Sequence, residues 1–202
     1  GSKDGLYISG HVTGNSPYLA FEWKADKEGE RHEVQTQLIG EYNFPNALAA
    51  ITIGRFFGVE PEKIDAALAA YTPQNNRSQL KQTADNTLII DAYNANPTSM
   101  QASLANFHNM KVENKMLILG DMRELGKDGP EEHQKIADFL TECGFEDVML
   151  VGEQFAAARH SFPTYPDAAA VIEVLKQSKP HGKTILIKGS NGIRLNTVID
   201  YL

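Results

Sequence analysis

The run Leu88-Ile89-Ile90-Asp91-Ala92-Tyr93-Asn94-Ala95-Asn96-Pro97 constrains this chain more than any other. Three apolar residues end in a carboxylate, a dense polar turn follows, and a proline then opens a helix. Short, near-continuous Leu/Ile runs are what strands buried on both faces look like, and such strands belong to parallel sheets. Ligands of these sheets sit just beyond the carboxyl ends of the strands. The run therefore predicts Asp91, Tyr93, Asn94 and Asn96 at the mouth of a crevice. Taken alone, the turn fits equally well an Asx-rich connection into a helix with Pro at its first position.

The pattern recurs, which favours the first reading. Met116-Leu117-Ile118-Leu119 ends in Gly120-Asp121-Met122-Arg123, and Val148-Met149-Leu150-Val151 ends in Gly152-Glu153. Thr184-Ile185-Leu186-Ile187 ends in Lys188-Gly189-Ser190-Asn191-Gly192. Helical patterns lie between them. One spans Glu131 to Glu142 with Ile136, Phe139 and Leu140 on a face; another spans Asp167 to Lys176 with Ala170, Val171, Val174 and Leu175. Strands alternating with helices predict a doubly wound α/β domain over residues 77 to 202. All four exits, Asp91, Gly120-Asp121, Gly152 and Lys188 to Ser190, should share one edge of one sheet.

Residues 1 to 72 read differently. Pro17 to Lys24 and His32 to Leu38 alternate in polarity, as antiparallel strands with one wet face do. Two helices should follow. Asn43 would cap the first, which runs to about Phe57, and Pro61 would start the second, ending near Tyr71. The polar stretch Thr72-Pro73-Gln74-Asn75-Asn76 marks a domain boundary. The first segment is short and strand-poor for a whole domain. Gly1-Ser2 reads as a cloning scar, so the segment is expected to be the tail of something longer.

Composition removes several classes. A net charge of −7 with no Lys/Arg run argues against a nucleic-acid partner. No apolar stretch approaches the roughly 20 residues that span a bilayer, and no signal peptide opens the chain, so a cytoplasmic protein is expected. The single Cys143 suits a reducing compartment and reads as structural. Gly182-Lys183-Thr184 imitates the end of a phosphate-binding loop, yet Gln177 stands where that loop needs Gly and a strand follows instead of a helix. No G-x-G-x-x-G follows a strand, and no G-x-S-x-G surrounds Ser190. The six histidines show no metal spacing, so no metal site is expected here. His133 on its helix reads as a packing or surface residue.

Four segments in order carry a family resemblance. Gly40-Glu41-Tyr42-Asn43-Phe44-Pro45-Asn46-Ala47-Leu48-Ala49-Ala50 resembles the Mur ligase segment G-x-H-N-x-x-N-A-L-A-A. Asp91 to Pro97 resembles D-x-Y-N-A-N-P, the signature of the branch that adds a dipeptide. Leu119 to Gly126, with His133 downstream, is similar to L-G-D-M-x-E-L-G…H, and Lys188 to Gly192 to K-G-S-R-x. Two departures stand out. Tyr42 replaces the usual His. Asn191 replaces the usual Arg, so a cationic contact to a substrate carboxylate is either missing or supplied by Arg194.

The resemblance implies a Rossmann-like, mostly parallel α/β domain at 77–202, preceded at 1–73 by the α+β remnant of a central ATP-binding domain. It also implies an ATP-dependent, Mg²⁺-dependent ligase that joins D-alanyl-D-alanine to UDP-N-acetylmuramoyl-tripeptide in peptidoglycan synthesis, a monomer acting on small molecules. Arg77 then matches the arginine that reaches the ATP phosphates when the domains close. Asp91 matches the acceptor of ribose hydroxyls, Asn43 and Asn46 lie beside the adenine, and Tyr93 and Asn94 face the nucleotide from the other side. Asn96, Asp121, Met122, Lys188, Ser190 and Asn191 form the substrate rim. The phosphate-binding loop and the carboxylates that hold Mg²⁺ in this family are absent from the sequence, so the chain alone is expected to be inactive. Two alternatives remain at this stage. One is a non-catalytic nucleotide- or small-ligand-binding α/β module; the other is a related ligase of the folylpolyglutamate-synthase kind.

Overall fold

The computed structural model describes residues 7–25, 29–74 and 76–202. Gly1-Ser2, and Asn75 of the expected linker, lie outside the described residues. The chain forms two compact units that divide between Pro73 and Gln74.

The first unit holds three antiparallel strands in the order β1 (Ile8–Asn15), β2 (Tyr18–Ala25), β3 (His32–Ile39), followed by helices α1 (Phe44–Phe56) and α2 (Pro61–Ala70). Alternation along β2 buries Leu19, Phe21 and Trp23, and they join Val34, Ala47, Leu48, Ile51 and Ile64 in one core. Asp65 on α2 accepts from Trp23 Nε1 at 2.7 Å and pairs with His32 Nδ1 at 2.8 Å, which pins that helix to the sheet. β1 has no counterpart among the strands expected from the sequence. Its Ser, Gly, Thr and His content hides the period, and its register slips between Val12 and Gly14. The expected cap on α1 is also corrected. Asn43 already has helical backbone angles inside a 3₁₀ turn (Glu41–Asn43) and makes no side-chain cap. Its Nδ2 donates back to the Ile39 carbonyl at 2.8 Å instead.

The second unit is a six-stranded sheet of strands β4 (Gln79–Gln82), β5 (Thr87–Asp91), β6 (Lys115–Gly120), β7 (Val148–Val151), β8 (Thr164–Tyr165) and β9 (Thr184–Lys188). Their spatial order is β4-β5-β9-β6-β7-β8, all parallel except the β4–β5 edge pair. The intervening helices are α3 (Pro97–Asn109), α4 (Gly129–Glu142), α5 (Glu153–Ala157) and α6 (Ala168–Gln177). This is the α/β, mostly parallel architecture expected from the repeated runs. One face of the sheet packs Leu88, Ile90, Ile118 and Ile187 against Ala168, Val171 and Leu175 of α6 and the C-terminal 3₁₀ turns. Strand alternation turns Ile89, Leu117 and Leu186 to the opposite face, and α3 and α4 bring buried Met100, Leu104, Ile136 and Leu140. Val174, expected on the buried stripe of α6, is 38% exposed; the stripe is formed by Ala168, Val171 and Leu175. Cys143 closes α4, and burial, then nearby Glu142, pushes its thiol above the ordinary range, in keeping with a structural role.

Candidate active site

Parallel pairing sets the strand exits side by side. Asp91 is in register with Lys188, Lys188 with Leu119, and Gly120 with Val151. The residues that follow, Asp121, Gly152 and Ser190, therefore line the same carboxyl edge as Asp91. Two clusters form along it.

The first cluster is centred on Asp91. Lys188 is 1% exposed, and its Nζ donates to Asp91 Oδ2. The carboxylate also accepts from the Ser78 backbone N–H at 3.3 Å and from Ser103 Oγ at 3.4 Å. A buried ammonium needs such a partner, because the desolvation of an isolated charge is severe. Ser78 carries a left-handed backbone (φ 46°), so its amide anchors a sharp turn that also presents Arg77. The Arg77 guanidinium lies 3.9 Å from the Tyr93 ring centroid, a cation–π stack on the exposed side of the cluster. Arg77 forms no ion pair among the described residues, and its donors remain available to an anion. Asn94 is exposed next to it. Asn96 is spent differently: its side chain accepts from Ser99 N at 2.8 Å and Ser99 Oγ returns the bond, a capping box that starts α3.

The second cluster surrounds a cavity of about 400 Å³ lined in part by Asp121, Met122, Arg123, Glu153, Gln154 and Ile193. Asp121 is buried there, and its two oxygens accept from the backbone N–H groups of Gln154 and Phe155, each at 3.0 Å. The carboxylate expected to meet substrate thus first fixes the β7–α5 turn. Gly152 allows this approach: its φ is 121°, and a Cβ there would lie 2.3 Å from the Asp121 carboxylate. Ser190 Oγ accepts from Arg123 N at 2.9 Å, and the Ser190 amide donates to the Asp121 carbonyl at 3.1 Å. These two bonds lock the β6 and β9 turns together.

His133 is the residue whose part the sequence reading left open. It is wholly buried, as a packing role requires, and it also holds the site. Its Nε2 accepts from the Met122 amide at 3.0 Å, and its Nδ1 faces the Gly129 carbonyl at 2.6 Å. The accepting role makes Nε2 the unprotonated nitrogen, so Nδ1 carries the hydrogen and donates. Asp121 Oδ1 stands 3.6 Å from Nε2. The only sequence signal was its place downstream of the Leu119 to Gly126 segment.

Asn43 and Asn46 belong to the first unit, where Asn46 Nδ2 donates to Asn43 Oδ1 at 3.3 Å at the start of α1. Among the described residues no group of three or more His, Cys, Asp or Glu side chains stands together as a metal site. No helix among them is long and apolar enough to cross a membrane.

Comparison with known proteins supplies the deciding observation. The family described as "Mur ligase, glutamate ligase domain" matches residues 76–191, more than half of the chain and nearly all of the second unit. The chain belongs to the Mur ligase family. It is 31% identical over 173 residues to the UDP-N-acetylmuramoyl-tripeptide–D-alanyl-D-alanine ligase of Bacillus subtilis, a match covering 80% of this chain and 38% of that relative. The crystal structure of MurF from Acinetobacter baumannii superposes with a TM-score of 0.84 at 25% identity, covering 98% of this chain and 45% of that one. MurF ligase from Thermotoga maritima, solved in complex with ADP, shares the fold with a TM-score of 0.81 at 18% identity, covering 98% of this chain and 46% of its own. This Mur ligase sequence therefore spans less than half the length of the relatives it matches.

Proposed function

We propose that a protein carrying this sequence is an ATP-dependent ligase that joins D-alanyl-D-alanine to UDP-N-acetylmuramoyl-tripeptide. The observation that carries the reading is one sheet edge bearing two distinct chemistries. A guanidinium without an ion pair among the described residues, stacked on an aromatic ring, lies at the β5 end, and a small polar cavity lies at the β6–β7 end. A nucleoside phosphate suits the first, and a short zwitterion suits the second. The 31% identical relative is named for this substrate pair.

The reaction has two steps. The tripeptide carboxylate takes the γ-phosphoryl group of ATP, giving an acyl phosphate and ADP. The dipeptide amine, having lost its ammonium proton, attacks the carbonyl carbon; a C–N bond forms, the bond to the phosphate oxygen breaks, and phosphate leaves. In this reading Arg77 binds the charge that builds on the transferring phosphoryl oxygens, a task suited to a planar, always-charged donor. Tyr93 and Asn94 face the nucleoside, and Asp91 accepts ribose hydroxyls on lone pairs that Lys188 does not use. Asn43 and Asn46 contact the adenine. Asp121, Met122 and Ser190 shape the dipeptide cavity, Asn191 stands on its rim, and Asn96 orders the turn between nucleotide and α3. The unit ending at Pro73 belongs, on this reading, to the ATP-binding domain, and residues 77–202 form the ligase domain. Among the described residues no group of three or more His, Cys, Asp or Glu side chains stands together, and no step here runs through a metal.

Phosphate release by the natural gene product tests the proposal. Release should require ATP, the nucleotide-linked tripeptide and D-alanyl-D-alanine together. Arg77→Ala should lower kcat roughly a hundredfold with a smaller change in the KM for ATP, because its contact strengthens in the transition state. Release that continues without the dipeptide, or that glutamate supports equally well, contradicts the assignment.

A further inference from the structure

We propose that Arg123 is the specificity-determining residue of the β6–β7 cavity, receiving the free carboxylate of the incoming amino compound. The proposal rests on the ligase reading above and adds to it a residue that none of the four motifs fixes. Arg123 occupies the variable position of the Leu119 to Gly126 segment.

Three observations converge. First, Arg123 is the one cationic side chain among the described residues lining the cavity, and it makes no ion pair among them. Asp121, which lines the cavity two residues before Arg123, is committed to the amides of Gln154 and Phe155, so its oxygens do not claim the guanidinium. Second, the backbone of Arg123 is held in place while its exposed side chain reaches over the β9 turn. Its amide is fixed by Ser190 Oγ at 2.9 Å, and its guanidinium lies so close over Gly192 that a Cβ there would come within 2.7 Å of Nη1. Glycine at 192 leaves the space that the guanidinium fills. Third, that space adjoins Asn191, the position where the sequence lacks the expected arginine. Arg194, the substitute suggested by sequence, is exposed at a left-handed turn (φ 60°) and is not among the cavity-lining residues. The guanidinium missing from the β9 turn is thus supplied from the β6 turn, packed on the same backbone.

A planar fork of donors suits a carboxylate, which it can hold through two parallel hydrogen bonds. Glu153 lines the same cavity and provides the opposite charge for an ammonium group. A volume of about 400 Å³ is at the small end of ligand sites, right for an amino acid or a dipeptide. The ligand class is therefore a short zwitterionic amino compound with a free carboxylate.

The cavity lies wholly within the second unit, so binding is readable on the 202-residue chain by NMR titration. D-alanyl-D-alanine should bind in about the millimolar range, and Arg123→Ala should weaken it about ten- to a hundredfold. D-alanyl-D-alaninamide, lacking the carboxylate charge, should lose a similar factor against the unaltered chain and nothing further against Arg123→Ala. Gly192→Ala should weaken the dipeptide alone by crowding the guanidinium. Adding Asn191→Arg to Arg123→Ala should restore binding, since the charge returns from the neighbouring turn. Equal dipeptide affinity with and without Arg123, or an amide penalty that persists in Arg123→Ala, overturns the proposal. So does an absence of binding by any amino carboxylate at tens of millimolar. If glutamate binds through Arg123 and the dipeptide does not, the subsite stands and the dipeptide reading falls.

Discussion

Asp91→Ala is expected to lower the thermal midpoint of the second unit by roughly 10–20 °C, beyond any loss of nucleotide contact. Lys188 is buried against the sheet, and Asp91 is its one ion-pair partner among the described residues. Removing one member of a buried pair leaves an uncompensated charge, typically at about 3–5 kcal/mol. The same change removes the bond from the Ser78 amide to Asp91, which helps hold the turn that presents Arg77. Adding Lys188→Met should recover most of the midpoint, because an apolar chain of similar length removes the stranded ammonium. Thermal denaturation of the single and double variants checks this. A double variant no more stable than Asp91→Ala would mean that the pair is not what stabilises this edge.

Gly152→Ala should be nearly as damaging, at about 3–5 kcal/mol, and should also deform the cavity. An L-residue is strained at φ 121°, and its Cβ would fall on the Asp121 carboxylate. Displacing that carboxylate breaks its hydrogen bonds to Gln154 and Phe155 and releases the α5 turn. Chemical denaturation should show a lower midpoint with an unchanged slope. Gly144→Ala, at φ 69° with no atom near its Cβ, carries only the backbone strain and should cost much less. Equal effects at the two positions would rule out the Asp121 clash as the cause.

What the sequence made legible follows from range. The strands β5, β6, β7 and β9 announce themselves because burial on both faces demands unbroken apolar runs, and their parallel order then aligns Asp91, Asp121, Gly152 and Ser190 on one edge. Local chemistry was partly readable: Pro97 opens α3 and the α6 pattern begins at Asp167, whereas the caps that Asn96 and Asp167 make emerge only from the structure. Contacts across long separations were not. The Asp91–Lys188 pair spans 97 positions, and no local pattern shows that a carboxylate at a strand end is neutralised by a lysine four strands later in the chain. His133 looked like an ordinary helical histidine because its acceptor role exists only once the β6 turn folds over it. β4 was hidden by polarity, since an edge strand of Gln, Leu and Lys needs no apolar run. Arg123 sat in view within the motif, but its contact with Gly192 needs the β6 and β9 turns side by side.

On the proposed reading, nucleotide and amino substrate meet at one sheet edge through these two clusters. Mapping amide shift changes on the 202-residue chain, with ADP and D-alanyl-D-alanine added separately, tests it most directly. ADP should move Arg77, Ser78, Tyr93 and Asn94, while the dipeptide should move Met122, Arg123, Gly152 and Gly192. Changes gathered instead at the opposite edge, around Thr87, Lys115, Asp147 and Thr184, would contradict it.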